Sequence, residues 1–287
     1  MTHINLQNRE LAKYPRTPHL QGSRYQQGDK GRPTDYADLI GRHIVVEEKL
    51  DAANSGVSFD ANAELLLQSR GHYLAVDRMG SRERDFNLFK QWGRAQEHRL
   101  LDVLEDRYVM YGEYMHAKHS VFYDALPALF CEFDIWDRSA EYFLDTASRM
   151  KLLDSVPVVS VPVLYAGVAP KRIEDLLVLV GPSAARSLQW RKSFESEVAR
   201  QKLDLALCWK QTDVSDFSEG LYLKVEDNGK TVERYKFVRP DFVQTILDSD
   251  SHHSTRPTIP NGLRAGVDIF APTTDKTWPL ANDGRSS

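Results

Sequence analysis

The spacing of apolar residues divides the chain into short strands joined by turns. Alternating or continuous runs of β-branched, aromatic and other apolar residues are typical of strands. Such runs lie at residues 43–50, 55–61, 64–76, 107–115, 128–137, 220–227 and 231–239. The last two runs are joined by Asn228-Gly229, a dipeptide that favours a tight hairpin. The pattern therefore predicts antiparallel strands in hairpins.

A different spacing between these runs predicts helices. From Asp85 to Glu105 apolar residues recur at mostly helical intervals, and Asp85 is expected to cap the helix start. Residues 145–205 mix short helical patterns with one extended segment at 156–164. Because strands in hairpins and helices are interspersed, an α+β fold is favoured over a doubly wound parallel sheet.

The two ends of the chain differ from its middle. Residues 1–35 are polar and rich in Pro and Gly, which predicts an extended arm without regular helix. Residues 36–248 hold the strand and helix patterns and are predicted to form one domain. Residues 249–287 are polar and without periodicity, and we expect a flexible or loosely packed tail there.

Composition narrows the class of protein. The chain has 287 residues, of which 41% are hydrophobic and 27% charged, as in proteins with a packed core. A net charge of -4 excludes a uniformly basic surface but not a local basic groove. Cys131 and Cys208 lie among apolar residues and are expected to be buried, reduced thiols. No apolar signal core or membrane-length run occurs, so we expect a soluble, cytoplasmic protein without membrane contact.

Lys49 is the first candidate for chemistry. The chain has no GxGxxG and no GxxxxGK[ST] motif, so neither a Rossmann nor a P-loop nucleotide site is supported. Lys49 follows the first predicted strand in the segment EKLDAAN, residues 48–54. A deprotonated lysine amine is a covalent nucleophile, although a lysine at a strand end is usually only solvated. The other motifs decide between these interpretations.

EKLDAAN resembles the nucleophile motif, Lys-x-Asp-Gly-x-Asn, of the covalent nucleotidyltransferases, which include polynucleotide ligases and mRNA capping enzymes. Four further motifs resemble those of this superfamily and occur in its order: YGE (111–113), EFDI (132–135), EGLYLK (219–224) and RYK (234–236). Five short motifs in one order are far more specific than any one alone. Ala52 departs from the pattern, because its methyl group stands where the motif has glycine.

Three more segments resemble ATP-dependent RNA ligases, in the branch of phage RNA ligase 2 and its bacterial relatives. They are KYPRTPHL (13–20), QSRGH (68–72) and KHSVFYDALP (118–127). The resemblance implies a nucleotidyltransferase (adenylation) domain over residues 36–248. In it, antiparallel sheets flanked by helices would hold a nucleotide cleft between them. It also implies joining of 3′-OH and 5′-phosphate RNA ends through a lysyl-AMP enzyme and an AMP-capped 5′ end.

The resemblance also implies roles for single residues. Lys49 would carry AMP from ATP, and Glu219 would hold a divalent metal, Mg2+ or Mn2+. Arg234 and Lys236 would reach the phosphate together, since alternate residues of a strand face one side. The metal and nearby cations would favour the neutral form of the Lys49 amine.

The resemblance assigns the nucleotide contacts as well. Phe133 would stack on adenine and Glu48 would read its amino group. Glu113 would contact the ribose, and Arg70 the ribose or an end phosphate. Asn54 would contact an AMP oxygen or the 5′-phosphate. The residues assigned to nucleotide binding are Glu48, Asp51, Asn54, Arg70, Glu113, Phe133 and Lys224.

Alternatives stay open at this stage. The substrate of the same chemistry would be nicked DNA in a DNA ligase, or GTP and an RNA end in a capping enzyme. A non-catalytic nucleotide-binding or nucleic-acid-binding homologue is the third hypothesis, suggested by Ala52. The short segment after Arg239 leaves too little chain for an OB-fold, which favours the RNA ligase interpretation. RNA is the expected partner, and an end-healing kinase or phosphatase is a further one.

Overall fold

Ten strands of one sheet form the frame of the fold. The computed structural model describes residues 10–25, 29, 31–242 and 258–278. The strands are β1 (His43–Lys49), β2 (Ala53–Phe59), β3 (Leu65–Ser69), β4 (Tyr108–Tyr114), β5 (Phe130–Asp137), β6 (Tyr142–Leu144), β7 (Val159–Ser160), β8 (Val163–Val168), β9 (Gly220–Asp227) and β10 (Lys230–Val238). Their order is β3-β2-β4-β5-β6-β10-β9-β1-β8, with β7 beside β5. The pairing is antiparallel except between β5 and β7.

The sheet curves back on itself. In the sheet, β1 and β2 are separated by five other strands. In the chain, only Leu50, Asp51 and Ala52 connect them. A three-residue link cannot span a flat sheet of that width, since strands lie about 4.8 Å apart. The sheet therefore has two facing halves, which meet where β1 ends and β2 begins. The expected separate sheets are one continuous sheet, and the α+β prediction is confirmed.

Within the described residues, five α-helices accompany the sheet, and a 3-10 helix at Tyr36–Leu39 precedes β1. The α-helices are α1 (Asn87–Leu104), α2 (Thr146–Leu152), α3 (Ile173–Leu177), α4 (Trp190–Arg200) and α5 (Leu205–Lys210). Helix α1 packs Phe89, Trp92 and Leu100 into the main hydrophobic core. The predicted cap at Asp85 is wrong, because a 3-10 helix at Ser81–Phe86 leads directly into α1. Asp85 instead accepts a hydrogen bond from Thr258 at 2.9 Å.

Local turns explain where predicted strands stop. The β9–β10 hairpin turns at Asn228 and Gly229, which both have positive φ (49° and 80°), as a two-residue hairpin turn requires. This prediction is confirmed. The predicted strand at 64–76 ends at Ser69, because the Ser69 hydroxyl bonds the backbone and ring of His72 around a turn.

Cys131 and Cys208 are buried and free, as expected.

The chain segments outside the sheet pack on it. The described part of the arm has no regular helix, and it runs beside β10 with Leu20 N donating to Lys236 O at 2.9 Å. Residues 258–278, expected to be loosely packed, bind the domain. Asn261 is buried and donates to Met115 O at 2.7 Å, and Trp278 donates to Ser160 O at 2.8 Å. These contacts use single anchoring side chains, which produce no periodic pattern.

The rest of the predicted tail, residues 249–257 and 279–287, and the arm residues 1–9 lie outside the described residues. The domain boundaries stay a prediction. Over the described ranges, none of the helices is both long and apolar enough to cross a membrane.

Candidate active site

A cleft of about 470 Å³ opens where the two halves of the sheet meet. Its walls come from the ends of β1 and β9, from β2, β4, β5 and β10, and from arm residues 14–17. The predicted site residues that line it are Glu48, Lys49, Asp51, Asn54, Arg70, Glu113, Phe133, Glu219 and Lys236. Lys224 and Arg234 do not line it. The fold thus gathers residues from all five motifs, although not every predicted residue reaches the cleft.

Lys49 lies at the end of β1 with its amine in the cleft. Its Nζ donates to Glu219 Oε2 at 2.8 Å, and its side chain is only 22% exposed. Burial acts to lower the pKa of Lys49, but the carboxylates of Glu219, Glu113 and Asp51 outweigh it and raise that pKa. Negative charges thus predominate around the amine in the protein alone, and the expectation that a metal and nearby cations favour its neutral form stays a prediction.

Glu219 immediately precedes β9 and is held in place by the backbone that follows. Gly220 pairs with Lys49 across the sheet, which places Glu219 beside the amine. A Cβ at position 220 would lie 1.8 Å from Phe237 O, so only glycine allows β9 and β10 to approach this closely. Burial raises the pKa of the Glu219 carboxyl to about 7, against the effect of Lys49.

Glu113 provides a second carboxylate from the other half of the sheet. It lies on β4 opposite Asn54 of β2. Burial, together with the nearby charges of Glu219 and Asp51, raises the pKa of Glu113 well above its usual value. Its Oε2 is buried and has no hydrogen-bond partner among the residues that the structure describes. Leaving a buried acceptor unsatisfied costs free energy, so this oxygen is suited to a ligand that donates a hydrogen bond.

The carboxylates of the cleft are the candidates for holding a metal ion. Within the described ranges, no group of three or more His, Cys, Asp or Glu side chains is arranged to hold a metal ion. Mg2+ at nucleotide sites, however, is commonly held by one or two carboxylates plus substrate phosphates and water. Three carboxylates act on the charge of Lys49. Glu219, the closest of them, therefore suits a cation whose remaining ligands come from a nucleotide.

Phe133 reaches the cleft through an irregularity in β5. On β4, Tyr111 pairs with Asp134 and Gly112 with Glu132, so Phe133 is bulged out of the ladder. Such bulges redirect a side chain and often lie beside functional sites. The Phe133 ring packs edge-to-face against Tyr14 of the arm, with centroids 5.1 Å apart. Tyr14 thereby forms one wall of the cleft.

Tyr14 also explains why the two basic residues of the RYK motif lie in different surroundings. Lys236 lines the cleft, where it pairs with Asp29 at 3.3 Å, and burial and Lys49 lower its pKa. Arg234 lies behind Tyr14, with its guanidinium 3.7 Å from the Phe143 ring centroid and Nη1 3.3 Å from the Tyr14 hydroxyl. Of the two, only Lys236 lines the cleft, and the contact of either cation with a phosphate stays a prediction.

Comparison with known proteins identifies the family. The model of the RNA ligase family matches residues 42–238. The chain belongs to the RNA ligase family. No curated protein matches it.

Solved structures of a Naegleria gruberi RNA ligase are similar to this chain. The complex with PPi has a TM-score of 0.47 and 18% identity, covering 81% of this chain and 62% of that one. A mutant with ATP and Mn has a TM-score of 0.45 and 18% identity, covering 78% of this chain and 60% of that one. This chain thus spans about three-fifths of the length of the Naegleria protein in these structures.

Lys224 has a different environment from the one expected of a nucleotide contact. Its buried Nζ lies 3.0 Å from both Glu47 Oε2 and Asp134 Oδ1. Arg149, also buried, bonds Glu132 at 2.6 Å and Glu47 at 2.5 Å. Lys224 therefore belongs to an ionic network that joins β1, β5, β9 and α2 next to the cleft. The motifs contain Lys224, Glu132 and Asp134, but nothing in the sequence indicates that Arg149 completes the network.

Glu48 and Asp51 of this family member hold loops at the rim of the cleft. Glu48 accepts hydrogen bonds from Ser183 Oγ at 2.5 Å and Ala184 N at 2.9 Å, and burial raises its pKa to about 7. Asp51 accepts from the backbone N–H groups of Ser120 at 2.7 Å and Val121 at 2.9 Å. This contact ties the nucleophile motif to the segment 118–127. The adenine contact of Glu48 stays a prediction.

Tyr14 is the functional candidate that residue-by-residue reasoning missed. It lies within KYPRTPHL, to which no chemical role was assigned. Its hydroxyl donates to Asp134 and hydrogen-bonds Tyr222. An aromatic residue before proline in a polar arm is a weak signal, because such residues also pack on domain surfaces. Asn54 on β2 and the exposed Arg70 after β3 also line the cleft.

Proposed function

We propose that this chain is an ATP-dependent RNA ligase that joins 3′-OH and 5′-phosphate RNA ends, with Lys49 as the residue that carries AMP. The observation that supports this most directly is the contact of Lys49 Nζ with Glu219 Oε2 at 2.8 Å. It joins two motifs 170 positions apart in a cleft that also contains Glu113, Phe133 and Lys236. A solvated strand-end lysine would need none of these neighbours.

The first step forms a bond between Lys49 Nζ and the α-phosphorus of ATP and expels pyrophosphate. The amine must lose a proton to attack, whereas Glu219 and Glu113 favour the ammonium form. A divalent cation, Mg2+ or Mn2+, held by Glu219 would offset these negative charges and so lower the pKa of Lys49. Lys236, in the same cleft, is placed to bind phosphoryl oxygens.

The nucleoside is held by residues on the other wall. Phe133 stacks on adenine, a contact of about 1–3 kcal/mol for base–aromatic stacking. The unpartnered Oε2 of Glu113 accepts a hydrogen bond from a ribose hydroxyl. Arg70 and Asn54 contact the ribose and an AMP oxygen. This arrangement leaves the α-phosphate facing Lys49.

Two transfers complete the reaction. An oxygen of the RNA 5′-phosphate attacks the phosphorus of lysyl-AMP, and the Lys49 nitrogen leaves. The RNA 3′-OH then attacks the 5′-phosphate of the capped end, which forms the phosphodiester and releases AMP. Charge grows on phosphoryl oxygens in each step, so positioning and electrostatic stabilisation supply most of the catalysis.

Labelling with ATP tests the proposal. With α-labelled ATP and Mg2+ or Mn2+, the parent protein should acquire covalent label, and Lys49→Ala should acquire none. Lys210→Ala, which changes an exposed lysine on α5, is the matched control and should label like the parent. Label on Lys49→Ala would refute Lys49 as the nucleophile. ATP binding without any adduct in the parent would indicate a non-catalytic homologue.

Substrate comparison separates the remaining alternatives. Sealing of RNA ends with ATP supports the proposal, sealing of nicked DNA alone would indicate a DNA ligase, and labelling by GTP instead of ATP a capping-type enzyme. The cytoplasmic location and an end-healing kinase or phosphatase partner stay predictions of the sequence.

A further inference from the structure

A second cavity, which we call the strand groove, adjoins the nucleotide cleft. It has a volume of about 620 Å³ and lies over β5, β6 and β10. Pro15 and Arg16 of the arm line both the groove and the cleft. A polymer whose end lies in the cleft could therefore continue past Arg16 into the groove. Of the five motifs, only RYK reaches this cavity, through Arg234 and Tyr235.

The groove has an aromatic floor. Trp136 of β5 and Tyr142 of β6 are half-buried, so parts of both rings face solvent. The Phe143 ring packs against that of Trp136, with the two centroids 4.8 Å apart. Arg234 already covers Phe143 at 3.7 Å. Arg234 is held there by the Tyr14 hydroxyl, whereas the Lys230 amine over the Tyr142 ring belongs to an exposed side chain. Trp136 therefore offers a surface to a flat ligand, and Tyr142 offers one once Lys230 moves to a phosphate.

Cations lie at the rim of the groove. Arg16 and Lys230 are exposed, and neither forms an ion pair with any residue in the described ranges. The Lys230 amine lies 4.3 Å from the Tyr142 ring centroid. In contrast, Glu233 in the same groove is neutralised by Arg42 at 2.6 Å. Glu141 is the remaining exposed acid, so positive charge prevails at a groove on a chain of net charge -4.

We propose that the strand groove binds single-stranded RNA next to the end being sealed. Bases stack on Trp136 and Tyr142, and the sugar-phosphate backbone contacts Arg16 and Lys230. Exposed aromatic rings beside cations are the means by which proteins hold unpaired nucleic acid. Bases inside a duplex are already stacked on each other and cannot reach such rings. The inference rests on the proposed function, and it names unpaired RNA as the preferred form of substrate.

Binding measurements without ATP test this inference apart from the chemistry. The full-length protein is titrated into a fluorescent single-stranded RNA at several salt concentrations, and anisotropy gives the Kd. Tyr142→Ala should raise the Kd about tenfold through the loss of stacking. Lys230→Ala should raise it as well, and should reduce the slope of log affinity against log salt by about 0.7 through the loss of one phosphate contact.

Controls keep the result interpretable. Lys192→Ala removes an exposed lysine of α4, outside the groove, and should bind RNA like the parent. The same RNA in a duplex should bind with an affinity that Tyr142→Ala leaves unchanged. Thermal unfolding of Lys230→Ala should stay close to that of the parent, because this side chain is exposed and, within the described ranges, forms no ion pair.

The outcomes separate this inference from the proposed function. Unchanged Kd and salt slope in both groove variants, or no RNA binding by the parent, would overturn the groove assignment. Labelling by α-labelled ATP is measured on the same proteins and should be unaffected by Lys230→Ala. If the parent binds RNA through the groove but takes up no AMP, the proposed ligase activity fails while the groove assignment stands.

Discussion

Tyr14 of the N-terminal arm packs edge-on against Phe133, the bulged residue of β5, with the two ring planes 78° apart. The Tyr14 hydroxyl is held between Asp134 and Tyr222, so the ring cannot easily turn away. An arm without regular structure thus supplies a fixed wall of the nucleotide cleft. The aromatic character of that wall depends on one residue of the N-terminal arm and one of β5, which lie far apart in the sequence.

Replacing Phe133 tests the adenine-binding wall. Phe133→Leu keeps an apolar side chain but removes the aromatic face, and the Kd for ATP should rise about tenfold. Equilibrium binding of ATP measures this change. Phe194→Leu, which alters a buried ring of the α4 cluster outside the cleft, is the control and should bind ATP normally. Equal affinities for ATP in parent and Phe133→Leu would show that the ring does not stack on the base.

Much of this site could be predicted from the sequence, because strand spacing and motif order together determine which residues meet. Lys49 and Glu219 meet because β1 and β9 are neighbours, and Glu113 faces them because β2 and β4 follow the short link after Lys49. The motifs do not indicate what each side chain contacts first. Lys224 contacts buried carboxylates, and Arg234 contacts Tyr14, in both cases through residues remote in sequence.

The packing of residues 258–278 could not be predicted for a related reason. Ile259 and Asn261 are buried one at a time, in sites built by distant parts of the domain. An isolated anchor has no period, so a polar segment that contains two of them looks the same as a solvated one. The same holds for the arm, where Tyr14 is anchored by residues of β5 and β9.

The buried ionic network should contribute strongly to stability through Arg149. Arg149→Ala would leave Glu47 and Glu132 without their shared cation in a site closed to water, and should lower the free energy of unfolding by about 3–5 kcal/mol. Arg172→Ala removes an exposed ion pair with Asp175, which water screens, and should change the free energy of unfolding far less. Urea unfolding of both variants measures the difference. Similar small losses in the two would mean that the network is not closed to water.

Gly220 should tolerate no side chain. In Gly220→Ala the new Cβ would meet Phe237 O at 1.8 Å, so β9 and β10 would have to separate beside Glu219. The expected loss of stability is about 3 kcal/mol or more, with loss of AMP labelling. Gly80→Ala, where no atom lies within 4 Å of the added Cβ, changes a glycine outside the cleft and should leave both properties close to those of the parent. A stable, active Gly220→Ala would contradict the close approach of the two strands.

Glu48 should make stability depend on pH in a predictable direction. Burial raises its pKa from 4.5 to about 7, so the folded protein holds a proton that the unfolded chain releases in that window. Its stabilising contribution is complete below pH 4.5 and is lost as pH rises towards 7. Glu48→Gln has no such proton to lose and retains an acceptor for Ser183. The free energy of unfolding of Glu48→Gln relative to the parent should therefore increase between these two pH values, by up to about 3 kcal/mol. Chemical denaturation at a series of pH values measures the difference, and a constant offset between the two proteins would show that Glu48 is ionised when folded.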